Sequence, residues 1–204
     1  NTRNVFFQRP EHHGAADHHP SETLIRKARV LYVDHMGIAG QIRAAGIARR
    51  HGIDVTGDPE RVVPRHAELL RLINHIVLPK RIAFEITGEA TIERALPKLW
   101  HEDAGAVVIT AGQQGAYFQA SPSEPIQHQP AFTVKAVDTT GCGDVFHGAY
   151  AAALALSLPL AERIRWAAAA AAIKATEPGG QSGIPDRRHL ERFLKVPASR
   201  DLPD

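Results

Sequence analysis

Residues 106–110 read Ala-Val-Val-Ile-Thr, apolar without alternation until the last position, and no other feature limits the possible folds so strongly. A strand with one face in water alternates apolar and polar residues. A strand that lacks a polar face must be covered on both sides, as in a parallel sheet held between helical layers. The flanking sequence supplies those layers. A β-branched and aromatic run, 29–34, leads into a segment with Ile38, Ile42, Ala45 and Ile47 at helical spacing. Residues 52–56 restart a strand that Gly57-Asp58-Pro59 stops, and Ala67, Leu70 and Ile73 stripe a helix over 64–74. The short run Ile76-Val77-Leu78 ends at Pro79, and Ile92, Ala95 and Leu99 share a face of a helix over 91–101. Gly112, Gly115, Tyr117 and Phe118 predict a tight turn into an antiparallel strand, then a Pro- and Ser-rich loop over 121–130 and a strand over 132–137. Three helices follow, over 144–157, 161–176 and 186–194, the first two rich in Ala. Strands alternating with helices and a helical end predict an α/β layered domain with a mostly parallel sheet.

Composition narrows the class further. With 204 residues, 44% of them hydrophobic, the chain can build one packed core and is not a disordered segment. Its 24 Lys and Arg offset 22 Asp and Glu to a formal charge of +2, and the basic residues are scattered, so no nucleic-acid partner is expected. Cys142 is the single cysteine, which excludes an internal disulfide and a cysteine-based zinc site and makes a cytoplasmic setting the expectation. The most apolar stretch, 149–161, is broken by Ser157 and Pro159 and is shorter than the ~20 residues of a bilayer crossing, so no membrane partner is expected. Asn1 opens the chain with neither Met nor the layout of a signal peptide, and the expectation is a chain that begins partway through a longer protein. Residues 1–23 are read as an irregular loop and 24–204 as the α/β core. The pairs His12-His13 and His18-His19 lack carboxylates or Cys at ligand spacing, so a solvated loop is favoured over a metal site.

The segment Asp138-Thr-Thr-Gly-Cys-Gly-Asp-Val-Phe146 runs from a predicted strand into a predicted helix. Gly141 and Gly143 let backbone approach a ligand, and the helix start has N–H groups without internal partners. With the positive end of the helix dipole, those groups suit phosphate oxygens. Asp144 at the same helix start would repel a phosphate as a ligand, yet it makes sense as a base that takes a proton from a hydroxyl attacking phosphorus. A tight turn with Asp144 merely complementing the dipole remains the plain reading of the spacing. No G-x-x-x-x-G-K-S/T element is present, nor an early G-x-G-x-x-G followed by an acid, so P-loop and NAD-type sites are disfavoured.

The same residues resemble the C-terminal signature of the ribokinase (pfkB) family of carbohydrate kinases. Val108-Ile-Thr-Ala-Gly-Gln-Gln-Gly115 is similar to the family's Thr-x-Gly-x-x-Gly nucleotide turn. Trp166 to Lys174, followed by Pro178-Gly-Gly-Gln-Ser-Gly-Ile-Pro185, resembles the helix and loop that close around adenine and a monovalent cation. The resemblance covers about residue 30 to the end. It implies a three-layer α/β/α Rossmann-like ribokinase fold that lacks its N-terminal strands and lid, with 1–23 as the return from the lid. It implies an ATP-dependent kinase that phosphorylates a sugar hydroxyl. Asp144 would be the general base at the substrate hydroxyl, and Gly141, Cys142 and Gly143 would donate N–H groups to the transferred phosphoryl group. Thr110, Gly112, Gly115, Thr140, Ala168, Gly179 and Gly180 would line the nucleotide. Asp138, Thr140, Ala175 and Gly180 would hold a potassium-like ion, and Mg2+ would travel with ATP. For the intact protein the resemblance also implies a homodimer, built through the lid.

The sequence departs from the family in several places. Cys142 stands where Ala is usual, which adds an oxidisable thiol and makes inhibition by thiol reagents an expectation. The stretch 78–88 has no Asn where many members carry Asn-x-x-Glu, and Glu85 is read there as a helix-surface carboxylate. Ala168 replaces an Asn common near the adenine. Asp34 and His35, at the end of a strand, are candidates to touch the substrate, with a loop cap as the plain reading of Asp34. Against the kinase reading stands a non-catalytic nucleotide-binding fragment or degenerate homologue.

Overall fold

The computed structural model describes residues 18–195. A one-turn helix, α1 (Glu22–Ile25), starts two residues inside the predicted loop and precedes β1 (Val30–Asp34). Then come α2 (Ile38–Arg50), β2 (Asp54–Asp58), α3 (His66–Leu72) and β3 (His75–Pro79). The chain continues through α4 (Lys80–Thr87), α5 (Ile92–Lys98), β4 (Ala106–Thr110), β5 (Ala116–Gln119) and β6 (Gln127–Gln129). Three helices close it: α6 (Cys142–Ala155), α7 (Leu160–Ala175) and α8 (Arg187–Lys195).

The strands form one sheet in sequence order, β1 to β4 parallel and β5 and β6 antiparallel. Alternation within the strands explains the two helical layers. Ile76 and Leu78 of β3 and Val107 and Ile109 of β4 enter one cluster with α2, α3, α4 and α5. Val77 and Val108, pointing the other way, enter a second cluster with Phe146, Tyr150 and Leu154 of α6 and Ile164, Ala167 and Ala168 of α7. Both faces of the central strands are dry, as the unbroken apolar run predicts. The alanines of α6 and α7 let these two helices pack closely on each other. Among the described residues, no helix is long and apolar enough to cross a membrane.

Two local expectations fail for visible reasons. The segment 132–137 is irregular, not a strand, and the edge strand β6 lies earlier, inside the predicted loop. Pro130 ends β6; Phe132 then packs edge-on against Phe193 of α8, with ring centroids 5.3 Å apart. The N–H groups of Val137 and Asp138 both turn to Ala175 O at the end of α7, so their backbone serves a helix terminus instead of a ladder. The second failure is α4, which fills the stretch 80–87 and has no counterpart in the helices expected from periodicity. Glu85 lies on its surface, 3.4 Å from Arg81 one turn earlier.

Candidate active site

Asp34 pairs in register with Asp58, and Pro79 with Thr110, so the C-terminal ends of β1 to β4 share one edge of the sheet. Parallel α/β sheets bind ligands at this edge because helix N-termini and loops converge there. Helix α6 packs against β1 and β2 and brings its first turn to the same place.

That turn is built by its glycines. Gly141 is the N-cap in the left-handed region, φ +76, which a side chain rarely adopts. A Cβ there would also stand 3.0 Å from Gly180 O. Cys142 N–H turns back to Thr139 O (3.2 Å), and the helical ladder opens with Val145 N–H to Gly141 O (2.9 Å). Between them lie the N–H groups of Gly143 and Asp144, for which a first turn supplies no acceptor of its own. A Cβ added to Gly143 would meet nothing within 4 Å, so the space beside this turn is open. Upstream, Asp138 clamps the approach: Oδ1 accepts from Thr140 N–H and Oδ2 from Gly179 N–H, each at 2.8 Å. Those bonds, Thr140's first, hold its carboxyl down at about 2.

Asp144 is exposed, and its carboxylate forms a group with Asp58 and Glu60 in which the oxygens lie within 4.8 Å of one another. Asp58 is only 6% exposed. Its Oδ2 lies 3.3 Å from His147 Nδ1, while its buried Oδ1 has no hydrogen-bond partner. Burial pushes the Asp58 carboxyl above its ordinary range; His147 opposes the rise, and Glu60 and Asp144 add to it. His147, 2% exposed, also sets Nδ1 2.9 Å from Gly143 O and Nε2 3.2 Å from Val77 O. The ring is thus held between the Asp58 carboxylate, its own helix and β3. Tyr32, partly exposed on β1, faces the same acids; loss of water first, then the charges of Asp58, Asp144 and Asp34, raise its hydroxyl above the ordinary range.

The structure gathers Asp138, Thr140, Gly141, Cys142, Gly143, Asp144, Gly179 and Gly180 around one turn. Thr110 lies at the end of β4 on the same edge, and Gly112 opens a single 3-10 turn after it. Gly115 (φ +86) closes that turn, and a Cβ on it would overlap Gln129 O, so its geometry serves the β-turn itself. Ala168 is buried in the core between α7 and the sheet. Ala175 O receives the N–H groups of Val137 and Asp138. Asp34 Oδ1 accepts from Met36 N–H (2.6 Å) and Gln41 Nε2 (3.0 Å), the bonding of a loop cap. His18 and His19 are exposed with rings 4.7 Å apart, and His12 and His13 lie outside the described residues. Sequence reasoning missed Asp58, Glu60 and His147. Asp58 reads as part of the strand stop Gly57-Asp58-Pro59, and the signal for His147 is an imidazole three residues after Asp144 on a helix that is otherwise nearly all apolar.

Residues 1–187 match the pfkB family carbohydrate kinases. The ribokinase of Haemophilus influenzae is 34% identical over 194 residues, an alignment that covers 88% of this chain and 62% of that protein. The ribokinase of Schizosaccharomyces pombe is 33% identical over 150 residues, 70% of this chain and 47% of its own length. Among solved structures, Arabidopsis thaliana ribokinase complexed with ribose and ATP superposes with a TM-score of 0.79 at 26% identity, covering 86% of this chain and 59% of that one. The chain thus spans about half to three fifths of the length of the proteins it matches. A six-stranded, mostly parallel sheet with the glycine turn and Asp144 at its C-terminal edge, together with a family match over most of its length, makes this chain a member of the pfkB family of carbohydrate kinases.

Proposed function

We propose that the chain carries the nucleotide-binding and phosphoryl-transfer part of an ATP-dependent sugar kinase. The observation that supports this most is Asp144 in the first turn of α6, beside left-handed Gly141 and next to the open N–H groups. On this reading Asp144 takes the proton of the acceptor hydroxyl. The oxygen so freed forms a bond to the γ-phosphorus while the bond to the β–γ bridging oxygen breaks, and ADP leaves with that electron pair. The N–H groups of Gly143 and Asp144 and the α6 dipole meet the charge that builds on the transferred group. Thr110, Gly112, Thr140, Gly179 and Gly180 lie along the nucleotide.

Mg2+ fits the residues beside the base. Asp58 offers a buried carboxylate oxygen without a partner, and Glu60 and Asp144 bring two more carboxylates within 4.8 Å. This trio supplies what the stretch 78–88 lacks. When bound, the ion would neutralise phosphate charge, and Asp58 and Glu60 would be the residues to hold it. His147 keeps Asp58 in place through Oδ2, which leaves Oδ1 for the ion.

A second reading, a nucleotide-binding piece without phosphotransfer, draws on the 62% share of the H. influenzae ribokinase that the chain covers. Incubating the chain with ATP, Mg2+ and single sugars, ribose first, and following ADP release separates the two. Sugar-dependent ADP release supports the kinase reading; nucleotide binding without ADP release from any sugar supports the second.

A further inference from the structure

The resemblance to sugar kinases implies a potassium-like ion held by Asp138, Thr140, Ala175 and Gly180, yet the Asp138 carboxylate and the Ala175 carbonyl already serve protein donors, and an ammonium lies beside them. Ala175 O already accepts from Val137 N–H (2.8 Å) and Asp138 N–H (3.1 Å). Both oxygens of the Asp138 carboxylate accept backbone N–H groups. The carbonyls of Asp138 and Glu177 accept from one ammonium, Lys174 Nζ, at 2.9 and 3.3 Å. Lys174 is fully buried in the last turn of α7. The loop after it folds over so closely that a Cβ on Gly183 would stand 2.7 Å from Lys174 O and 3.0 Å from its Cα.

An ammonium in such a place is costly unless oxygens surround it. Here the oxygens come from the two backbone segments that shape the anion-binding turn. One begins at Asp138 and runs into Gly141. The other, 177–180, sends Gly179 N–H to the Asp138 carboxylate and sets Gly180 O against Gly141. The charge of Lys174 also favours the ionised form of Asp138, after the larger effect of the hydrogen bonds from Thr140 and Gly179.

We propose that the Lys174 ammonium stands in for the monovalent cation: a tethered charge that binds the 137–144 segment to the 176–183 loop, so that phosphate binding at the α6 turn requires no K+. Lys174 is then a positioning residue, acting through the backbone of Asp138 and Glu177. The nucleotide half of its test rests on the proposed function, and the stability half does not.

The chain and K174A are compared in potassium chloride and in tetramethylammonium chloride at equal ionic strength. The melting temperature is read without nucleotide, and affinity is read with a non-hydrolysable ATP analogue. The wild type keeps the same melting temperature and analogue affinity in both salts. K174A binds the analogue about tenfold more weakly in tetramethylammonium chloride, and potassium or ammonium ions entering the vacated space restore binding. Three results would overturn the proposal: a wild type that K+ stabilises or tightens, a K174A indistinguishable from wild type, or a weakened K174A that neither ion restores. Should K174A fail to fold, the wild-type salt comparison still decides. Should the wild type bind no analogue, the proposed function falls, while the melting temperatures of both proteins in the two salts still decide the role of Lys174.

Discussion

Asp58 Oδ2 stands 3.3 Å from His147 Nδ1, across the contact between the end of β2 and the second turn of α6. The pair locks the carboxylate that faces Asp144 to the helix that carries Asp144. His147 also reaches Val77 O on β3, so one ring ties the candidate site to two strands. Replacing His147 with Phe leaves Asp58 buried without its partner. The expected loss is roughly 1–3 kcal/mol, the range for leaving a buried polar group unsatisfied, read from urea unfolding. A loss below about 1 kcal/mol would mean that Asp58 draws no support from the ring.

The acidic trio makes a separate prediction about divalent ions. Asp58→Asn and Glu60→Gln should weaken Mn2+ binding, followed by the electron paramagnetic resonance of free Mn2+, by at least about tenfold each. Arg94→Gln, on the exposed surface of α5, serves as the control and should leave it unchanged. Equal Mn2+ affinity in wild type and Asp58→Asn would remove Asp58 from the ion site.

At the opposite end of the sheet, His75 is buried against Tyr150, with His75 Nδ1 3.1 Å from the hydroxyl. Burial first, with Arg163 and Arg49, pushes its imidazole down to about 4, against the pull of Asp54. In the unfolded chain it titrates near the ordinary 6.5. Between those values the unfolded chain holds the extra proton, so the stability tied to neutral His75 is complete above about 6.5 and drains away as pH falls toward about 4. Urea midpoints for wild type and His75→Gln across this range should show a steeper acid loss in the wild type. Parallel curves would contradict the assignment.

Asn74 ties three strands together near His75. Its Oδ1 accepts Val55 N–H at 2.7 Å, its Nδ2 donates to Asp54 at 2.7 Å, and its carbonyl accepts Gly105 N–H at 2.7 Å. Asn74→Ala keeps the last bond and strands a buried N–H, which should cost about 1–3 kcal/mol in thermal or urea unfolding. Asn74→Asp keeps the acceptor for Val55 but sets a second carboxylate beside Asp54. It too should destabilise, and more so at neutral than at acid pH.

Much of this architecture could be read in the sequence, because local pattern decides it. The unbroken run at 106–110 and the Ile76-Val77-Leu78 run require two covered faces, and they have them. The glycine turn was legible too, since Gly141, Gly143 and Asp144 are neighbours in the chain. What escaped are relationships between distant positions. Asp58 and His147 meet because β2 and α6 pack together, and neither residue carries a local mark of its partner. The segment 132–137 has a strand's composition, but Phe132 finds α8 and Val137 finds the end of α7, and tertiary contacts override propensity. Lys174 reads as a polar residue at a helix end until the loop that buries it is seen.

On the proposed function, Asp144 is the base of a phosphoryl transfer. The direct measurement is sugar-dependent ADP release by wild type and Asp144→Asn, with nucleotide affinity measured in parallel. With Asp144 as the base, turnover in the variant is lower by roughly 10²–10⁴-fold and affinity for the nucleotide is retained. Turnover near that of the wild type would contradict it.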